Sequence, residues 1–134
     1  MSNSTILPST LMALFVLLNG INSAFAENFI YIQVHNGTPG LITEVHIRVS
    51  GSGEDWSPSL LNADAIRPGQ LYTLNNIANA PPCVYDIAYV IQLGPGLNDQ
   101  EYATWNRVNL CSLNGMSVRR MGPNSYNARW RNER

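Results

Sequence analysis

Between Phe29 and His35 the apolar residues Ile30, Ile32 and Val34 alternate with Tyr31, Gln33 and His35, the period-two pattern of a strand with one face buried. Asn36-Gly37-Thr38-Pro39-Gly40 follows, rich in residues that tolerate or preset a turn. A second alternation then sets Val45, Ile47 and Val49 against Glu44, His46 and Arg48. Two strands joined as a hairpin are expected. Ser57-Pro58 before Ser59-Leu60-Leu61 predicts a short helical turn, with Ser as cap and Pro in the first helical position. Pro68-Gly69 predicts a turn into a third strand, Gln70 to Leu74, and the polar stretch Asn75 to Pro82 reads as a connection.

Cys83 to Ile91 is apolar on both faces, as a central strand should be. Gly94-Pro95-Gly96 and Asn98-Asp99 mark a turn, Tyr102 to Cys111 returns as a further β segment, and Met116 with Val118 adds a last edge. Short strands punctuated by turns, with no long helical period, predict an all-β fold: a small antiparallel β-sandwich, or a partly open barrel, with one short helical turn and one disulfide.

The N-terminus changes the picture. An apolar stretch from Leu11 to Ile21 ends in Ala24-Phe25-Ala26, the layout of a signal peptide cleaved after Ala26, and it is far shorter than the ~20 residues of a membrane span. Its first residues carry no Lys or Arg, an unusual feature in such a segment. The organisation read here is a signal peptide over 1–26, a β-sandwich domain over 27–118 and a flexible tail over 119–134. The remaining chain has the size of one domain, without a transmembrane segment.

Cys83 and Cys111 are the only cysteines, and an even count in an exported chain reads as a disulfide. Closing a loop of about 28 residues stabilises a fold by roughly 3 kcal/mol. Charge nearly cancels, with eight arginines, no lysine and nine acidic residues, so global charge predicts no acidic partner and makes nucleic acid an unlikely one. The tail is the exception: Arg119, Arg120, Arg129, Arg131 and Arg134 interleave with Tyr126 and Trp130, groups that pair with phosphates and stack on rings or lipid headgroups.

The segments Val34-His35-Asn36-Gly37-Thr38, Asp55-Trp56-Ser57-Pro58-Ser59-Leu60-Leu61, Arg67-Pro68-Gly69, Cys83-Val84-Tyr85-Asp86-Ile87 and Trp105-Asn106-Arg107-Val108-Asn109-Leu110-Cys111 together resemble a family of small exported bacterial β-domains without an assigned activity. The most specific part is C-x-Y-D paired with N-L-C, over a resemblance spanning Ile32 to Val118. Similar chains often carry Gly in place of Ser57 and lack the arginine tail. The resemblance implies the β fold and export, and adds no catalytic residue.

Candidate chemistry is sparse. Asp86 lies inside an apolar strand, where a carboxylate is either tuned for acid-base work or tied to an arginine; a structural ion pair with Arg107 is the favoured reading. No G-x-S-x-G occurs, and disulfide-bonded cysteines offer no nucleophile. His35 and His46 fall on polar faces and suggest exposed strand residues rather than a metal site, so no metal or cofactor is expected. Trp56 and Trp105 belong to the core or to a ligand groove. Asn36-Gly37-Thr38 matches a glycosylation sequon and reads first as a turn.

The expectation is therefore an exported, periplasmic or secreted, non-catalytic binding or structural module. Its partner is unspecified, an envelope protein or an anionic polymer. One alternative is a small hydrolase or lyase using Asp86, Arg107 and a histidine. The other is a binder of anionic envelope polymer acting through Arg119, Arg120, Arg129, Trp130 and Arg131.

Overall fold

The computed structural model describes residues 29–132, so the signal segment expected over 1–26 and its cleavage point lie outside the described residues. Seven strands follow in order: β1 (Phe29–Asn36), β2 (Leu41–Val49), β3 (Leu71–Ala78), β4 (Val84–Gln92), β5 (Gln100–Asn109), β6 (Gly115–Gly122) and β7 (Ser125–Arg131). They form two packed sheets, one in the order β3-β1-β6-β7 and the other in the order β2-β4-β5. The fold is an all-β sandwich, antiparallel throughout except where β1 pairs in parallel with β6.

The alternation in β1 does what period two dictates. Ile30, Ile32 and Val34 are buried, and they meet Val45 of β2 and Ile87, Tyr89 and Ile91 of β4 in one core. Each fully buried aliphatic side chain of this kind contributes about 1.5–3 kcal/mol. Tyr89 is completely enclosed, with its hydroxyl donating to Met116 Sδ at 2.7 Å, and burial pushes its phenol well up.

β1 and β2 are consecutive but do not form the expected hairpin: the turn between them carries the chain from one sheet to the other. Asn36, fully buried, holds that crossing. Its Nδ2 donates to the Gly40 carbonyl at 2.8 Å and to the Ile66 carbonyl at 2.7 Å, while Oδ1 accepts from the Thr38 amide at 2.9 Å and the Thr38 hydroxyl at 2.7 Å. Both amide protons are spent, so in the folded protein the Asn36 of the sequon is not available for glycosylation.

No helical turn forms at Ser57-Pro58. The segment instead runs beside the open edge of β2: the Ile47 amide donates to Ser57 Oγ at 3.0 Å, and the Ser57 amide to the Ile47 carbonyl at 2.8 Å. Likewise the Val45 amide donates to Ser59 Oγ at 3.2 Å, and the Leu60 amide to the Val45 carbonyl at 2.7 Å. Edge groups that would otherwise lie bare outcompete a helix cap for the same hydroxyls. The short helical pieces are 3₁₀ turns elsewhere, at Leu97–Asp99 and Leu110–Ser112.

Three further expectations change. β3 runs on to Ala78, through residues read as a connection, because Ile77 buries its side chain opposite Ile30. β6 is an interior strand, paired on both sides, rather than an edge. Most consequentially, the segment read as a flexible tail from Arg119 is the second half of β6 and all of β7, so the sandwich extends past Val118 to Arg131. Tyr126, Ala128 and Trp130 turn inward while Ser125, Asn127, Arg129 and Arg131 stay exposed, a period-two pattern that the arginines mask.

Candidate binding site

Cys83, just before β4, bonds to Cys111 in the 3₁₀ turn after β5, with Cα atoms 5.4 Å apart. The disulfide thus clamps the ends of two paired strands.

Asp86 is a structural carboxylate with a different partner from the one expected. It opposes Arg48 in the β2–β4 ladder and takes that guanidinium, Nε to Oδ2 at 3.2 Å, while Arg107 supplies only its backbone amide to Oδ1 at 3.2 Å. Trp56 stacks over the Arg48 guanidinium at 4.1 Å, a cation–π contact that covers the ion pair. Burial pushes the Asp86 carboxyl up, but the Ser50 hydroxyl, the Arg107 amide and Arg48 outweigh it and hold the group below its ordinary value. No histidine joins this cluster: the described hydrogen bonds place His35 against Ser117 Oγ at 2.8 Å in the other sheet. His46 lies between the Ser57 carbonyl, 2.7 Å from Nδ1, and Glu44 Oε1, 2.6 Å from Nε2. Glu44 is the carboxylate neighbour that sequence reading did not give His46. Among the described residues no three His, Cys, Asp or Glu side chains gather as a metal site.

The arginines of the last two strands divide. Arg120 turns toward β5 and makes a two-pronged contact with Glu101, Nε to Oε1 and Nη2 to Oε2 both at 3.0 Å, joined by the Tyr126 hydroxyl at 2.7 Å. Hydrogen bonds from Arg120 and Tyr126 hold the Glu101 carboxyl down at about 2, and burial beside that carboxylate pushes the Tyr126 phenol up to about 12. This cluster ties β6 and β7 to the opposite sheet.

Arg119, Arg129 and Arg131 are exposed on the outer face of the four-stranded sheet. Arg129 lies opposite Ser117, Arg131 opposite Gly115 and Arg119 opposite Asn127. Arg131 reaches the neutral acceptors Asn114 Oδ1 at 3.1 Å and Gln33 Oε1 at 3.3 Å, while Arg119 and Arg129 have no ion pair among the described residues. A shallow hollow of about 230 Å³ is lined by Arg129, Arg131, Ser117, His35 and the exposed Leu71, with Arg119 outside it. The four strands of this sheet contain no Asp or Glu; the acids of the described strands are Glu44, Asp86 and Glu101, all in the other sheet. The outer face of this sheet is thus cationic, a property hidden by the near-zero total charge, whereas Asp86 and Glu101 in the other sheet are paired with Arg48 and Arg120.

A second concavity, of about 340 Å³, opens between β5 and β7 beside Trp105 and Trp130. Trp105 meets Tyr89 edge-on at 5.5 Å between ring centres and Trp130 at 6.0 Å, so both tryptophans serve the core with part of their surface and the cleft with the rest.

No helix among the described residues is long and apolar enough to cross a membrane. No family model, curated protein or solved structure matches the chain.

Proposed function

We propose that this protein is an exported, non-catalytic binding module that docks on an acidic polysaccharide through the outer face of its four-stranded sheet. The observation that carries the reading is the gathering of Arg119, Arg129 and Arg131 on a face whose strands hold no carboxylate. Residues two apart on one strand are separated by about 7 Å, and diagonal neighbours on paired strands by a similar distance. Arg129 therefore sits within about one Debye length, about 8 Å, of Arg119 on one side and Arg131 on the other, and the adjacent charges repel one another until an anion arrives. The neighbours in register are Ser117, Gly115, Asn127, Gln33 and His35, which suit a hydroxyl-rich chain better than an apolar lipid surface or stacked bases.

Export, and kinship with small exported bacterial domains, belong to the same proposal; the disulfide fits export. The hydrolase alternative loses its support, since Asp86 is consumed by Arg48 and two further donors with no histidine within the cluster.

The test is binding of the folded chain to polygalacturonate, with uncharged dextran, duplex DNA and anionic-lipid vesicles in parallel. The expected result is polygalacturonate binding that weakens with salt at a log–log slope of about −2 to −3, no dextran binding, and at least a tenfold loss in R119Q/R129Q/R131Q. Equal binding to dextran, an unchanged triple variant, or tighter binding to DNA or vesicles would overturn the reading.

A further inference from the structure

The cleft between β5 and β7 carries an oddity that the fold does not require. In the β4–β5 ladder Tyr85 pairs with Val108 and Ile87 with Trp105, so Asn106 and Arg107 together oppose Asp86 in a bulge. Within it Arg107 adopts a φ of +59°, a conformation natural to glycine and unfavourable for a side chain as large as arginine. Asp86 fixes that backbone by accepting the Arg107 amide, while Arg107 lines the cleft and its guanidinium has no ion pair among the described residues. Strain of this kind, at a large side chain beside a cleft, points to a role for that side chain.

The rest of the lining fits one kind of ligand. Trp105 and Trp130 meet at 89° and give the cleft an angled aromatic wall. Asn106, Asn109 and Asn132 bring amides that both donate and accept; Asn109 spends only its Oδ1, on the Cys111 amide at 3.1 Å, and keeps its NH2. Among the described residues no carboxylate lines the cleft. Indole surfaces take the C–H face of a sugar ring, amides take its hydroxyls, and a guanidinium takes a carboxylate through two parallel bonds. A volume of about 340 Å³ falls in the range of small-molecule sites.

We infer that this cleft seats a single carboxylate-bearing sugar ring, with Arg107 holding the carboxylate and Trp105 and Trp130 the ring. The site is distinct from the cationic sheet face and stands or falls separately from it.

The test titrates the folded chain with methyl glucuronide, methyl glucoside and acetate, following tryptophan emission and calorimetry. The glucuronide is expected to bind at least tenfold tighter than either the glucoside, which lacks the carboxylate, or acetate, which lacks the ring. Arg107→Gly accepts the backbone conformation and should fold normally, yet bind the glucuronide no better than the glucoside. R119Q/R129Q/R131Q should keep the wild-type glucuronide affinity. Wild-type protein that binds none of the probes or ignores the carboxylate, an Arg107→Gly variant that keeps the preference, or loss of glucuronide binding in the triple variant would overturn the assignment.

Discussion

Replacing Asn36 by alanine removes four hydrogen bonds from a site with no access to water, and the structure says which groups suffer. The Ile66 carbonyl keeps the Ile42 amide at 3.0 Å, and the Gly40 carbonyl keeps the Thr38 hydroxyl at 3.2 Å, but the buried Thr38 amide loses its partner. One orphaned donor costs about 1–3 kcal/mol, and each of the three other lost bonds a net of about 0.5–1.5 kcal/mol, giving about 3–7 kcal/mol in all. That is a large share of the roughly 5–15 kcal/mol that holds a domain folded.

Asn36→Asp separates hydrogen bonding from packing. An aspartate keeps both acceptor contacts to Thr38 but, once ionised, turns a charge toward the Gly40 and Ile66 carbonyls, so its folded pKa lies above the usual value near 4. A raised folded pKa means stability fully present below the unfolded pKa and lost as pH rises through the folded one. Urea unfolding followed by tryptophan fluorescence should therefore show a modest Asn36→Asp loss near pH 3.5 and a loss at pH 7 exceeding that of Asn36→Ala, each against wild type at the same pH. An Asn36→Ala cost below about 1 kcal/mol, or an Asn36→Asp cost that ignores pH, would refute the reasoning.

Three other outcomes follow from the same structure. Ending the chain at Val118 deletes the second half of β6 and all of β7, so the truncated protein should lose its cooperative unfolding transition, and Trp130→Ala alone should cost about 2–4 kcal/mol; a truncated chain with the wild-type urea midpoint would show that the segment after Val118 is dispensable. Replacing Cys83 and Cys111 together by serine should lower stability by about 3–4 kcal/mol, for a bridge spanning 28 residues, read from urea midpoints under non-reducing conditions. Glu101, depressed from 4.5 to about 2, contributes stability that is present above about 4.5 and drains away as pH falls toward 2. Glu101→Gln should flatten the fall in melting temperature over that window, leaving the share that Asp86 adds; identical acid limbs would exclude the cluster as a source of stability.

Much of the fold was legible because burial writes period two into a strand: Ile30, Ile32 and Val34 mark β1, and the doubly apolar run around Ile87 marks the central β4. Pairing partners were not, since alternation says which face is buried and nothing about which sheet a strand joins. The same turn residues serve a hairpin and a crossing between sheets, and only Asn36, reaching Ile66 thirty residues on, distinguishes them. Ser57-Pro58-Ser59 carried a sound helix-start signal that lost to the unpaired edge of β2, a competitor invisible to local propensity.

At the candidate site the unusual residues stood out in the sequence, and the way the strands group them did not. Arg119, Arg129, Trp130 and Arg131 were legible as unusual, but the alternation that sends the arginines to one face and Trp130 to the other emerged only with β7 in register. Arg48 escaped notice because a charged residue on a half-buried strand looks like solvated surface until Asp86 is found opposite it. The left-handed conformation of Arg107 has no sequence signal, since nothing in Asn106-Arg107 resembles the glycine such a bulge usually recruits.

The parallel contact between β1 and β6 brings together residues 82 positions apart, as His35 and Ser117 show. During synthesis β1 therefore waits, with one edge open, until almost the whole chain has emerged, because the strand that completes its ladder is nearly the last. Such non-local closure is slow, and the waiting edge can pair with another copy's strand before its own partner arrives. Until β6 arrives, the chain depends on whatever shields that edge.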